Sequence, residues 1–196
     1  MRKSLLVALS LCLLSCPGWS AQLSSAAPEI GLSIAPTDDP YLFMVSMRNL
    51  SGHGLSLVLG VACGVGITGH ETVEIVHYTL TRTDGAQVDF EDFGLPCAGM
   101  VGVLIKNLLP GESYSYDIDV RNTIVQEKDV FFQLLISGRQ LLRIQASADG
   151  QKAIDEWKGT NINIEKAAKY PIWKGQASSE PVSLAPPPAP QSHSQP

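Results

Sequence analysis

The chain has 196 residues, and its 14 Lys and Arg against 19 Asp and Glu give a formal net charge of −5. An acidic balance with no basic run excludes a nucleic-acid partner, because binding a phosphate backbone takes a cationic face. With 44% hydrophobic residues the length suits one domain with a core of its own.

Residues 1–21 read as a secretory signal peptide: Arg2 and Lys3, an apolar run over residues 5–14, then small residues at Ser20 and Ala21. The run falls short of the roughly 20 residues a bilayer span requires, so the expectation is export, secreted or periplasmic. Cleavage near Ala21 removes two bases and no acid, leaving 12 against 19 and a charge of −7. Leu13-Leu14-Ser15-Cys16 resembles a bacterial lipobox, which opens a second fate: lipidation of Cys16 and a membrane-anchored lipoprotein.

Residues 22–28, rich in Ser and Ala, read as a flexible leader. Residues 30–34 predict a first strand and 41–50 a second, with Phe43, Val45 and Met47 on one face. Over residues 55–63, Leu55, Leu57, Leu59, Val61 and Cys63 share a face. Residues 72–83 predict one long strand with Val76, Tyr78 and Leu80 in phase, and Asp84-Gly85 turns it into a return strand over 86–90. A strand over 101–105, the Leu109-Pro110-Gly111-Glu112 turn and a strand carrying Tyr114, Tyr116, Ile118 and Val120 on its inner side come next. Strands over 130–136 and 140–146 follow, and a closing strand is expected over 176–184. Between the last two, the polar stretch 149–175 predicts an insertion with helical turns at 152–157 and 165–169. Trp173-Lys174-Gly175 repeats Trp157-Lys158-Gly159, a single echo too short to mark a repeat array. Residues 186–196, rich in Pro, Ser and Gln, are expected to be a disordered tail.

Short strands separated by Gly, Pro and Asp turns, with no strand–helix alternation, predict an all-β antiparallel sandwich over 29–185 rather than a doubly wound nucleotide fold. Two cysteines remain after cleavage, Cys63 and Cys97, and in an oxidising compartment an even count favours a disulfide, with two free buried thiols as the alternative. Two sulfurs without a CxxC pair make a poor zinc site.

Asp117 and Asp119 alternate with Tyr116 and Ile118, so they point to solvent; as cation ligands they lack the loop glycine and the run of acids such sites carry. Asp38 and Asp39 lie between prolines as turn formers, and Asp89, Glu91 and Asp92 are the densest acidic cluster. His53 sits among glycines, His77 in a strand and His193 in the tail. His70, in a glycine-rich loop, is the histidine best placed for hydrolysis with a nearby acid. There is no Gly-x-Ser-x-Gly elbow, and Gly60, Gly64, Gly66 and Gly69 do not make a phosphate loop. The residues therefore predict a non-catalytic module with no cofactor and no metal, whose partner is a protein or glycan.

Tyr78-Thr79-Leu80-Thr81-Arg82-Thr83-Asp84-Gly85, the Leu109-Pro110-Gly111-Glu112-Ser113-Tyr114 turn, Leu141-Leu142-Arg143-Ile144 and Trp173-Lys174-Gly175 with Ser179-Glu180-Pro181-Val182 resemble bacterial exported immunoglobulin-like domains. The same succession is distantly similar to the BsuPI-type proteinase-inhibitor domain. The resemblance implies an immunoglobulin-like β-sandwich with a short, partly helical insertion before its last strand. It also offers proteinase inhibition as an alternative role, without assigning an inhibitory residue.

Overall fold

A computed structural model describes residues 27–39, 42–63, 70–81, 84–85, 87–91, 101–120, 142–158 and 162–184. The signal peptide, Cys16, most of the leader, Cys97, the strand expected over 130–136 and the 186–196 tail lie outside the described residues.

The architecture is all-β, and among the described residues each strand ladder is antiparallel. One sheet orders β1 (Ile30–Pro36), β2 (Leu42–Asn49) and β8 (Ser113–Asp119). A second orders β4 (His70–Val73), β3 (Leu55–Cys63) and β7 (Val101–Leu108). In the third, β9 (Leu142–Asp149) pairs β5 (Val76–Thr81) on one side, which pairs β6 (Gln87–Glu91) in turn. On the other side β9 carries β10 (Gln176–Ser178) and β11 (Val182–Leu184). Strand β1 also packs against β9, β10 and β11, which closes the first sheet onto the third.

Alternation places the core as expected. Ile30, Leu32 and Ile34 of β1, Phe43, Val45 and Met47 of β2, Ile118 of β8 and Val76, Tyr78 and Leu80 of β5 are buried in one cluster. Two turns match their residues: Gly85 takes φ +86° in the β5–β6 hairpin, and Gly111 takes φ +80° after Pro110, where the Glu112 amide donates to the Leu109 carbonyl at 3.0 Å.

Strand β3 departs from a one-faced pattern. Residues 55–60 are all buried, Ser56, Val58 and Gly60 included, and Val61 is half-buried. The register against β7 slips so that Val58 faces Ile105 while Gly60 faces Leu104, leaving Leu59 as the extra residue of a bulge. The Leu59 carbonyl accepts both the Glu74 and Ile75 amides, at 2.8 and 3.1 Å. These two residues therefore leave the β4 ladder, and the single strand expected over 72–83 is instead β4 and β5, in different sheets. Gly60 makes the crossing possible, since a Cβ there would stand 2.4 Å from the Thr72 carbonyl oxygen.

The stretch after β9 holds helix α1 (Gly150–Trp157) and the single turn α2 (Ile164–Ala167), close to the helical turns the sequence predicts. Asp149 caps α1, its Oδ1 accepting the Gln151 and Lys152 amides at 3.0 Å each, as an N-terminal cap should. The chain then returns along β3. The Ser56 amide donates to the Pro171 carbonyl at 2.9 Å, and the Trp173 amide donates to the Ser56 carbonyl at 3.0 Å, a parallel bridge on the β3 edge beyond the end of β4. Trp173 is buried against Gly150 and Gly175, where an added Cβ would lie 2.6 and 2.7 Å from the indole. That contact explains why a glycine stands at 175, two residues after Trp173.

The closing strand expected over 176–184 is likewise two strands. Ser179 is buried between them, its amide donating to Ala146 O at 2.8 Å while its Oγ accepts the Ala146 amide at 2.9 Å. Pro181 has no N–H for the ladder, so pairing resumes only at Val182.

Candidate functional site

Alternation along β8 aims Tyr114, Tyr116 and Ile118 to one side, and Ile118 reaches the core while the two tyrosines stay half-buried. Each phenol finds a partner in a different sheet. The Tyr116 hydroxyl lies 2.7 Å from that of Tyr78, a fully buried residue of β5. The Tyr114 hydroxyl donates to Glu71 Oε2 of β4 at 3.1 Å. Lys106 of β7 donates from Nζ to Glu71 Oε1 at 2.7 Å and stands 4.9 Å from the centre of the Tyr114 ring, in cation–π range. The rings of Tyr114 and Tyr116 stack with centroids 5.8 Å apart and planes 27° from parallel.

The result is a continuous seam, Lys106–Glu71–Tyr114–Tyr116–Tyr78, that joins the three described sheets. Its inner end is dry and its outer end wet, with 46% of the Glu71 side chain and 28% of that of Lys106 exposed. Burial first, then the charge of Glu71 and the hydrogen bond to it, push the Tyr114 phenol up to about 12. Tyr114 is thus a neutral donor across the physiological range and not a base. The seam offers a fixed carboxylate, a fixed ammonium and aromatic edges, which suits recognition of a polar surface.

Alternation in the sequence marks the inward tyrosines of β8 and the in-phase Tyr78, but no local signal marks Glu71 or Lys106. Glu71 and Tyr114 are 43 residues apart, and no local pattern carries such a pairing.

The other candidates are dispersed. Asp117 is exposed opposite Met44, and Asp119 is half-buried opposite Leu42. Asp38 and Asp39 occupy the β1–β2 turn, where Thr37 Oγ1 donates to the Leu42 carbonyl at 2.9 Å. Asp89 accepts from Thr79 Oγ1 at 2.7 Å, and Asp92 lies outside the described residues. Among the described residues, no group of three or more His, Cys, Asp or Glu gathers closely enough for a metal ion. His53 is exposed 3.9 Å from Glu29, and His77 Nε2 lies 3.1 Å from Lys152 Nζ. His70, expected in a loop, is instead the first residue of β4, its backbone paired with Cys63, while the His70 side chain and His193 fall outside what is described. Cys63 is buried at the end of β3. No described helix is long and apolar enough to cross a membrane.

No family model matches the chain, and no curated protein matches it. Among solved structures it is similar to the X-ray structure of Northeast Structural Genomics Consortium target SoR45, at 10% identity and a TM-score of 0.30, covering 81% of this chain and 84% of that one. A second likeness is to the Bacteroides uniformis beta-glucuronidase 2 covalently bound to cyclophellitol-6-carboxylate aziridine, at 13% identity and a TM-score of 0.24. It covers 62% of this chain and 11% of that chain. Similarity this weak carries no functional argument.

Proposed function

We propose that the chain is an exported, non-catalytic binding module that recognises a protein or glycan at the cell envelope or outside the cell, through the outer end of the Lys106–Glu71–Tyr114 seam. The observation that carries this reading is an accessible ion pair held against tyrosine rings by strands of separate sheets. Rigid aromatic side chains beside fixed donors and acceptors give contact area at small entropic cost, the chemistry that binding surfaces favour.

The three sheets are read as an immunoglobulin-like sandwich, closed where β1 meets β9. The Cys63–Cys97 disulfide belongs to the same reading. Cys63 is the β3 partner of Val101, and Cys97 precedes Val101 by four residues, within easy reach. Export supplies the oxidising compartment that keeps such a bond.

The test is capture on a panel of envelope glycans and from an extract of envelope proteins. Glu71→Ala, Lys106→Ala and Tyr114→Phe should each weaken the interaction about tenfold, the range for losing a charged or hydrogen-bonded contact. Asp117→Ala, on the opposite face of β8, should leave it unchanged. Wild-type capture by all three seam variants would defeat the proposal.

A further inference from the structure

We propose that one end of the fold, formed by residues 50–54 and 109–112, rests on a phospholipid bilayer to which the chain is tethered through Cys16. This rests on the export reading above and takes the lipidated of its two fates.

Leu50 and Leu109 are two of the three exposed large hydrophobics among the described residues, at 53% and 47%. Both turns are built around one buried side chain. Asn49 Nδ2 donates to the Leu108 and His53 carbonyls at 3.0 and 2.8 Å, and the Asn49 backbone exchanges bonds with Glu112 and Gly111 at 2.9 and 2.8 Å. Leu50 and Leu109 each follow a residue of this knot directly, so both lie at the same end of the sandwich. Leu50 lies over Gly31, close enough that a Cβ there would stand 3.1 Å from it.

The chain enters the fold at this same end. The Leu50 amide donates to the Glu29 carbonyl at 2.8 Å, and β1 departs from there, Ile30 facing Asn49 and Pro36 facing Phe43. Asp38 therefore marks the far end of the sheet, about 20 Å away at the rise of a strand. Cys16 precedes Glu29 by 13 residues, a reach of at most about 45 Å. A lipid on Cys16 brings this end within reach of the membrane, and at that length the leucines rather than the tether select the face that meets it.

The polar rim suits that contact. Arg48 is exposed beside Gly111, where its guanidinium can meet lipid phosphate. Glu112 is engaged by the Leu109 amide at 2.7 Å, and Glu29 faces His53. Two partly exposed leucines supply little apolar area, so the contact depends on the tether and adds orientation rather than anchorage.

The full chain, expressed with its own N-terminal segment and recovered from membranes, is placed in phosphatidylcholine nanodiscs doped with a nitroxide-headed lipid. The amide signals of Leu50 and Leu109 should be attenuated several-fold more than that of Asp38, and a Leu50→Ser, Leu109→Ser double variant should narrow the difference. Equal attenuation at the three positions would overturn the proposal, as would a mature chain cut near Ala21 and recovered without lipid from the soluble fraction. Capture through Glu71 is measured on the same double variant. Its retention separates failure at this end from failure of the binding reading.

Discussion

The hydroxyls of Tyr78 and Tyr116 meet at 2.7 Å, one from the dry interior of β5 and the other from the rim strand β8. A side-chain contact thereby links two strands that share no ladder. A double-mutant cycle of Tyr78→Phe and Tyr116→Phe in urea denaturation should show a coupling of about 1 kcal/mol, the usual net worth of one hydrogen bond. Strict additivity would mean that the pair holds nothing.

The high pKa of Tyr114 gives stability a direction at alkaline pH. Its phenol titrates from an ordinary 10.0 to about 12 in the fold, so the unfolded chain loses its proton first. Between those values the unfolded state binds fewer protons, and stability falls as pH rises. Below pH 10 the contribution is whole. The phenolate absorbance lost in Tyr114→Phe should belong to a late-titrating phase, and the same variant should flatten the decline in stability across this window. Glu71→Gln should bring that late titration down, because it removes a charge that resists the phenolate.

Gly60 and Gly85 separate two costs of adding a methyl group. At Gly85, φ is +86° and the space around it is open, so Gly85→Ala should cost about 1 kcal/mol of backbone strain. At Gly60, φ is +152° and a Cβ would meet the backbone of Thr72 and Glu74 at 2.4 and 2.7 Å. Gly60→Ala should cost about 3 kcal/mol or more, since the β3 crossing must move. Similar denaturation midpoints for the two variants would count against the crossing as described.

Trp173 is the main apolar anchor of the segment that returns along β3. Trp173→Ala should cost about 3–5 kcal/mol in denaturant unfolding. Gly150→Ala should destabilise in the same direction by displacing the indole. Amide exchange should rise across 170–178 in both variants.

A bond between Cys63 and Cys97 closes a loop of about 34 residues, so Cys97→Ser should lower stability by about 4 kcal/mol on the chain-entropy model. Peptide mapping without reductant checks the pairing itself. Two free thiols under those conditions would remove it.

Periodicity is local, and what it determines is local: the inward sets of β1, β2, β5 and β8, the outward aim of Asp117, the turns at Asp84-Gly85 and Leu109-Pro110-Gly111-Glu112, and helical turns within 149–175. Each depends on side-chain spacing and turn chemistry within a few residues. Apart from the β5–β6 hairpin, which strand lies beside which was decided only in three dimensions. The Leu59 carbonyl captures two amides and sends one expected strand into two sheets, the edge of β3 takes in Trp173, Ser179 divides the closing strand, and Glu71 meets Tyr114 across 43 residues. Bulges, breaks and cross-sheet pairs arise because buried backbone groups must find partners wherever the packed chain offers them, and no window of neighbouring residues contains that information.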